Sequence, residues 1–245
     1  MIKPFVFVYL HKTGSAPMLA HLGRHLVWNE GIVFLGPWGD RQRHREGRPD
    51  VSVWSSSKRS KIRVITGTDI DTTSHRFSGA DEGKYITVVR DPADRLVAEY
   101  NSLLDREEDL PGFWEWHADR RVNQTARRFR ELFGVETTDE ISDRLRDFWY
   151  VTTTEHLNED APLMLARMRV QGEWDPDEGE SDADLDDVDA TDTGEIAEIA
   201  TPTAEGISAT DDLRDRIYAE HPKDRRLYKL ALKRRASKRI RYGWN

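Results

Sequence analysis

The sequence predicts an α/β protein of three layers, in which helices cover both faces of a central parallel sheet. Short apolar runs alternate along the chain with segments of helical spacing, which is typical of strands joined by crossover helices. The first apolar run, Phe5–Leu10, leads into a small polar loop and a helix start, so the N-terminus is predicted to be a P-loop-like strand–loop–helix. The 245 residues are expected to form a single domain, residues 1–245.

The individual elements follow from apolar periodicity. Strands buried on both faces read as short apolar runs, and amphipathic helices carry apolar residues at positions i, i+3 and i+4. Strands are predicted near Phe5–Leu10, Gly31–Leu35, Ile62–Thr66, Tyr85–Val89 and Phe148–Thr152. Helices are predicted near Ser15–Val27, Pro92–Arg106, Asn123–Phe133, Thr138–Arg146 and Asp211–Ala219, with a last helix from Lys223 onward. The polar, turn-rich stretch Gly36–Lys61 is predicted to be a long surface loop.

The loop after the first strand is a candidate anion site. The amides at the start of a helix, together with the helix dipole, favour a phosphate or sulfate. Small residues also occur in such turns for steric reasons alone. In the nucleoside-triphosphate loop GxxxxGK[ST] the lysine follows the glycine, whereas Lys12 precedes Gly14, which argues against a standard NTPase loop. The candidate anion-binding residues are His11, Lys12, Thr13, Gly14, Ser15 and Ala16.

A second candidate anion ligand, Arg90, directly follows the predicted strand Tyr85–Val89. Asp91 and Pro92 then have the residue types of a helix N-cap and a first helical position. Open α/β sheets bind ligands at the carboxyl ends of their strands, and the planar guanidinium suits bidentate contact with phosphate. We therefore expect Arg90 to bind an anion.

These two segments together resemble the sulfotransferases that use 3′-phosphoadenosine 5′-phosphosulfate (PAPS). The sequence HKTGSA at 11–16 is similar to the 5′-phosphosulfate loop of the carbohydrate, Golgi-type members. The sequence RDPADRLVAEY at 90–100 is similar to their 3′-phosphate motif. Weaker similarity extends to Phe148–Met164, with its Thr-Glu pair followed by a short helix, and to Asp224–Leu232.

The resemblance implies an enzyme that moves a sulfuryl group from PAPS to a hydroxyl or amine of a carbohydrate, lipid or small metabolite. It implies that residues 11–16 cradle the 5′ phosphate and that Arg90 holds the 3′ phosphate. Lys12 would neutralise the charge that develops as 3′,5′-ADP departs. The family's Gly-His pair is replaced by Gly67-Thr68, so the general base is expected to be His75 or, behind it, Asp69. The scheme requires no metal.

Two further positions depart from the family motifs. Ala16 stands where a hydroxyl is usual, and Ala98 stands where a serine contacts the 3′ phosphate. Each replacement removes a hydrogen bond to an anion worth about 1.5–3 kcal/mol. The residues that could compensate are Ser15, Asn101 and Ser102.

Two alternatives to an active sulfotransferase stay open. Ala16, Thr68 and Ala98 favour a non-catalytic or degenerate binding protein on the same scaffold. A kinase-like phosphotransferase is supported by the apolar strand that ends in Asp91, as a magnesium-holding carboxylate would.

The net charge of −8 hides two opposed blocks. Residues 173–209 contain 14 acidic and no basic residues, which predicts a flexible acidic insertion. Residues 223–241 contain ten Lys and Arg against one Asp, and their helical spacing predicts a basic C-terminal helix with one packed face. The sequence contains no nucleic-acid-binding motif, so the expected partner is a small-molecule or carbohydrate acceptor.

The composition also bears on where the protein works. The chain has no cysteine, which excludes disulfides and fits a reducing compartment. No apolar run approaches the ~20 residues that span a bilayer, and the first strand begins a few residues after Met1. The sequence therefore predicts a cytoplasmic protein.

Overall fold

The centre of the protein is a five-stranded parallel sheet with the strand order β2-β3-β1-β4-β5, seen in a computed structural model. The structure describes residues 3–25, 31–35, 54–67, 70–104, 109–172 and 206–244. The strands are β1 Phe5–Val8, β2 Ile32–Leu35, β3 Val64–Gly67, β4 Lys84–Val89 and β5 Tyr150–Thr153. The predicted parallel sheet is confirmed, and each predicted strand matches an observed one to within two residues at either end.

Helices connect and cover these strands. The described α-helices are α1 Ser15–His25, α2 Ser56–Arg59, α3 Pro92–Leu104, α4 Phe113–Ala118, α5 Gln124–Phe133, α6 Thr138–Arg146, α7 Leu157–Gly172, α8 Asp211–Glu220 and α9 Pro222–Tyr242. Two 3₁₀ turns lie at Ser74–Ser78 and Thr154–His156. The apolar periodicity did not predict α2, α4 or the full length of α7, which contains Pro162 within the helix. Most of the predicted loop at 36–61 lies outside the described residues.

The alternation of side chains along β1 divides the core into two parts. Phe5 and Phe7 face one side and pack with residues of α1 and α7, whereas Val6 and Val8 face the other side and pack with residues of α5, α6 and α9. All four side chains are at least 97% buried. The helices therefore cover both faces of the sheet, and the predicted three-layer architecture is confirmed.

The basic C-terminal helix α9 packs one face against the core through Leu227 and Ala231, which are fully buried. Two of its arginines neutralise a fully buried carboxylate, since Arg235 and Arg239 lie 2.7 and 2.9 Å from the oxygens of Asp160. Burying a carboxylate is costly unless it is paired, so these contacts fix α9 against α7. Residues 173–205 of the predicted acidic insertion at 173–209 lie outside the described residues.

Gly67 occupies a position where the chain leaves no room for a side chain. Its φ is +143°, and a Cβ atom there would lie 1.8 Å from the carbonyl oxygen of Leu35 on the neighbouring strand. We expect Gly67→Ala to lower the free energy of unfolding by about 3 kcal/mol or more, because a backbone strand must move. Gly112→Ala is the matched control, since a Cβ there meets nothing within 4 Å. Urea unfolding of both variants tests this, and equal stabilities would contradict it.

None of the described helices combines the length and the apolar character that a bilayer-spanning segment needs.

Candidate functional site

The topology of the sheet has a switch point between β1 and β4. These strands are neighbours, but the chain leaves β1 toward the β2 edge and leaves β4 toward the β5 edge. Ligands of open α/β sheets bind at such a switch point, outside the carboxyl ends of the strands. The polar loop after β1 and Arg90 after β4 both lie at this edge.

The loop after β1 is shaped by its own hydroxyl groups. The Thr13 hydroxyl donates to the carbonyl of Leu10 at 2.9 Å, and the Ser15 hydroxyl accepts from the amide of Leu10 at 3.3 Å. Both side chains are buried, so they hold the loop and do not face solvent. The backbone has a positive φ at Lys12 (60°) and at Gly14 (80°). Because the amides of the first turn of α1 have no acceptor within the helix, they are the groups that can bind an anion here.

The loop is also held from the β5 side. The Thr154 hydroxyl donates to the carbonyl of Thr13 at 2.8 Å, across 141 positions of sequence. A Cβ atom on Gly14 would lie 3.1 Å from Leu157, which together with the positive φ explains the glycine. The role of Thr154 was not predicted, and its only signal was the Thr-Glu pair in the weaker similarity at 148–164.

Arg90 lies against this loop. Its Nη1 donates to the carbonyl oxygen of Lys12 at 3.4 Å, which brings together two cationic residues that are 78 positions apart. Partial burial lowers the pKa of Arg90, while the charges of Asp94, Glu155 and Asp91 oppose this shift. The structure therefore places Lys12 and Arg90 at one edge of the sheet.

Asp91 is engaged on both of its oxygens. Oδ1 caps α3 by accepting from the amide of Ala93 at 2.9 Å and also contacts Arg214 at 3.3 Å. Oδ2 accepts from the hydroxyl of Tyr218 at 2.6 Å. A carboxylate that caps one helix and ties a second helix to it is poorly placed to hold magnesium, which weakens the kinase-like alternative.

The structure does not bring His75 to this loop. Its Nδ1 lies 3.3 Å from the Tyr85 hydroxyl, and a Cβ on Gly83 would lie 2.6 Å from the Cβ of His75. Both contacts are at the amino end of β4, about 20 Å along the strand from Arg90. Buried against Tyr85, His75 is 8% exposed and serves to fix the 3₁₀ turn Ser74–Ser78. Asp69, the other predicted base, lies outside the described residues, as does Thr68.

The side chains expected to compensate for Ala16 and Ala98 form hydrogen bonds with other parts of the protein. Ser15 is bound within the loop, as described above. The side-chain amide of Asn101 makes two hydrogen bonds with the backbone of Ile207. Its Nδ2 donates to the carbonyl at 2.9 Å, and its Oδ1 accepts from the amide N–H at 3.1 Å. The Ser102 hydroxyl donates back to the carbonyl of Glu99 at 2.7 Å.

A cavity of about 680 Å³ opens beside the loop, between β1, α3 and α5. Among the residues that the structure describes, four cationic side chains and two carboxylates line it, and these sum to a formal charge of +2 when His11 is neutral. The surrounding protein atoms lower the pKa of His11 by desolvation, although the residue is exposed; the charge of Glu99 opposes this shift, and the charges of Lys12 and Arg95 add to it. The lining residues are Tyr9, Leu10, His11, Lys12, Arg95, Glu99, Ser102, Leu103, Arg120, Gln124, Thr125, Arg128 and Glu131.

Arg95 is the most unusual member of this lining. It is 2% exposed, and its Nη1 donates to Glu99 and to Gln124, both at 3.1 Å. Its Nε and Nη2 are buried without a hydrogen-bond acceptor in the described part of the chain. Leaving a buried charged donor without an acceptor costs about 1–3 kcal/mol, so this guanidinium is poised for an added acceptor. The sequence placed Arg95 in register with the family motif but gave it no role.

A buried histidine pair lies behind the site. Within the described ranges, the side chains of His117, Glu220 and His221 bring three possible metal-ligand atoms within 4.8 Å of one another. The amide of Asn123 donates to Nδ1 of His221, which leaves the proton of the neutral ring on Nε2, 2.9 Å from Nε2 of His117. Nδ1 of His117 can then donate to Glu220 at 3.3 Å. Because every polar atom of the pair is satisfied without a metal, we assign the cluster a structural role.

This pair makes stability depend on pH. Burial, and after it the charge of the neighbouring His117, lower the pKa of His221 to about 4. The unfolded chain takes up this proton below pH ~6.5, whereas the folded protein resists until pH ~4. We therefore expect the free energy of unfolding to fall by roughly 3 kcal/mol as the pH is lowered from ~6.5 to ~4. Chemical denaturation across this range tests the slope, and a variant His221→Gln with the same slope as the wild type would contradict the assignment.

Comparisons with known proteins give a similarity of fold. No protein-family model matches the chain, and no curated protein matches it. Among solved structures, a sulfotransferase from Alicyclobacillus acidocaldarius is similar at 15% identity and a TM-score of 0.46, over 91% of this chain and 93% of that one. The mouse sulfotransferase SULT7A1 complexed with PAP is similar at 13% identity and a TM-score of 0.37, over 95% and 84% of the two chains. At these values the similarity says nothing of chemistry.

Proposed function

We propose that this chain is a PAPS-dependent sulfotransferase that transfers a sulfuryl group to a hydroxyl or amine of a carbohydrate, lipid or small metabolite. The observation that supports it is the contact of Arg90 with the carbonyl of Lys12, at the switch point of the sheet. The 5′ phosphosulfate would lie on the amides that follow Lys12, and Arg90 would bind the 3′ phosphate. A residue that binds the 3′ phosphate distinguishes PAPS from ATP.

The chemistry needs a cation, a base and a positioned acceptor. The acceptor oxygen or nitrogen forms a bond to sulfur while the bond from sulfur to the bridging oxygen of 3′,5′-ADP breaks. Lys12 neutralises the charge that accumulates on this leaving oxygen. The acceptor loses its proton to a base, and we assign this role to His11, which lines the cavity beside Lys12. Only the neutral imidazole can accept this proton, and the lowered pKa of His11 favours that form.

The assignment of His11 predicts a pH profile. Transfer is expected to rise with pH through a pKa below the ordinary value of ~6.5, because only the neutral ring accepts the proton. His11→Gln should abolish this rise and lower kcat by about 10²-fold or more. Initial rates of transfer from labelled PAPS between pH 5 and 8 test this. An unchanged profile in His11→Gln would assign the base elsewhere.

The second candidate function is a binding protein that holds the nucleotide without turning it over. Ala16 and Ala98 favour it, since Ser15 and Asn101 are bonded within the fold and cannot replace the missing hydroxyls. The cytoplasm is our proposed location for either function, because the chain has no cysteine.

One titration separates these functions from a kinase. Calorimetry with 3′,5′-ADP, 5′-AMP and ATP–magnesium should show the tightest binding for 3′,5′-ADP, and preference for ATP–magnesium would overturn the proposal. Incubation with labelled PAPS and a panel of acceptors then decides between enzyme and binding protein. Labelled product supports the transferase, and binding without product supports the second candidate.

A further inference from the structure

We propose that the cavity between β1, α3 and α5 binds an acceptor that carries its own oxyanion group, such as a carboxylate, sulfate ester or phosphate ester. This inference rests on the proposed function, because it names the class of acceptor for the same site. It depends chiefly on the arginines of the cavity, whereas Lys12 and His11, which also line it, are among the residues proposed for the cofactor and the chemistry.

The first argument is the charge balance of the cavity. Glu99 is shared by two guanidinium groups, at 3.1 Å from Arg95 and 3.8 Å from Arg120. The other lining carboxylate, Glu131, pairs at 3.0 Å with Arg127, an arginine outside the lining. Within the described lining, the cationic side chains therefore outnumber the carboxylates, and this excess of positive charge attracts an anion.

The second argument is geometric and concerns Arg95. This side chain is 98% buried, and two of its three guanidinium nitrogens lack an acceptor in the described part of the chain. A planar guanidinium presents pairs of parallel N–H groups, which match the two oxygens of a carboxylate or of a sulfate or phosphate ester. An acceptor with such a group would satisfy donors that the protein leaves without partners.

The third argument is the position of the other cations. Arg120 is stacked on the ring of Trp116, with its Cζ 4.6 Å from the ring centroid, which limits the rotamers that it can adopt. Arg128 donates to the carbonyl of Ile70 at 3.1 Å. Lys12 and His11 line the same cavity on the side of the loop. An acceptor anchored by α3 and α5 would therefore present its remaining surface to the residues proposed for the chemistry.

The test compares acceptors that differ only in the anionic group. Binding of p-nitrophenyl β-D-glucuronide, p-nitrophenyl β-D-glucoside and the 6-sulfate of that glucoside is measured by calorimetry, in the presence of saturating 3′,5′-ADP. We expect the glucuronide or the 6-sulfate to bind about 10- to 100-fold more tightly than the neutral glucoside. The better of the two identifies the oxyanion. Equal binding of all three probes, or no binding of any, overturns the proposal.

Variants locate the effect without disturbing the buried guanidinium. Arg120→Gln combined with Arg128→Gln should reduce the preference for the anionic probe at least about tenfold and leave the affinity for 3′,5′-ADP unchanged. Arg130→Gln on the same helix α5 is the control, since Arg130 pairs with Glu136 and does not line the cavity. A double variant that keeps the preference, or that loses 3′,5′-ADP instead, overturns the inference.

Failure of the proposed function gives a different result. If 3′,5′-ADP does not bind to the wild type, the assignment of PAPS falls. The arginine-dependent preference for the anionic probe, measured then without the nucleotide, would still support an oxyanion site.

Discussion

Replacing Lys12 with alanine is expected to lower kcat/KM for sulfate transfer by about 10²- to 10³-fold, the loss seen when one electrostatic donor to a transition state is removed. The reason is local, since Lys12 lies in the loop after β1, three residues before the start of α1 at Ser15. Its ammonium group would meet negative charge that grows only as the bond from sulfur to 3′,5′-ADP breaks. Binding of 3′,5′-ADP should weaken far less than the rate falls, because backbone amides hold the 5′ phosphate. Initial rates with labelled PAPS and calorimetry with 3′,5′-ADP measure the two effects.

Lys3→Ala supplies the control for this variant. Lys3 precedes the amino end of β1 and pairs with Glu82, so its removal changes the charge by the same amount at the opposite end of the strand. It should leave the rate of transfer unchanged. A Lys12→Ala protein that transfers sulfate as fast as the wild type would show that the leaving oxygen is neutralised by another group.

Replacing Arg90 with alanine is expected to remove the preference for 3′,5′-ADP over 5′-AMP. A hydrogen bond to a charged group contributes about 1.5–3 kcal/mol, so the affinity for 3′,5′-ADP should fall by about 10- to 100-fold while that for 5′-AMP stays nearly constant. Arg90→Lys should restore only part of the preference, because an ammonium group lacks the planar fork. Paired titrations of the wild type and both variants with the two nucleotides measure this.

Arg76→Ala is the matched control for Arg90. Arg76 is exposed on the 3₁₀ turn Ser74–Ser78, which contacts the amino end of β4, and should have no effect on either nucleotide. Arg90→Ala that weakens 3′,5′-ADP and 5′-AMP equally would place Arg90 near the shared 5′ phosphate and not the 3′ phosphate.

The features readable from the sequence are the local ones. The apolar run that becomes β1, the positive-φ position filled by Gly14 and the cap at Asp91 each depend on neighbours a few residues away. Pattern and residue type therefore predicted β1, α1, β4 and the start of α3 nearly to the residue. The rule that strand ends of a parallel sheet meet at one edge was enough to expect Lys12 near Arg90.

What the sequence could not supply are contacts made across the fold. The hydrogen bond from Thr154 to the carbonyl of Thr13 depends on the parallel pairing of β5 with β4. The buried guanidinium of Arg95 becomes notable only once α3 and α5 enclose a cavity. His75 is a short distance in sequence from the Gly67-Thr68 pair, yet the turn that carries it packs at the amino end of β4.

The position of 3′,5′-ADP in a crystal structure of its complex with this protein tests the central claim most directly. We predict the 5′ phosphate on the amides of residues 13–16 beside Lys12, and the 3′ phosphate within hydrogen-bond distance of the Arg90 guanidinium. A nucleotide bound at another edge of the sheet, or one whose 3′ phosphate does not contact Arg90, would contradict it.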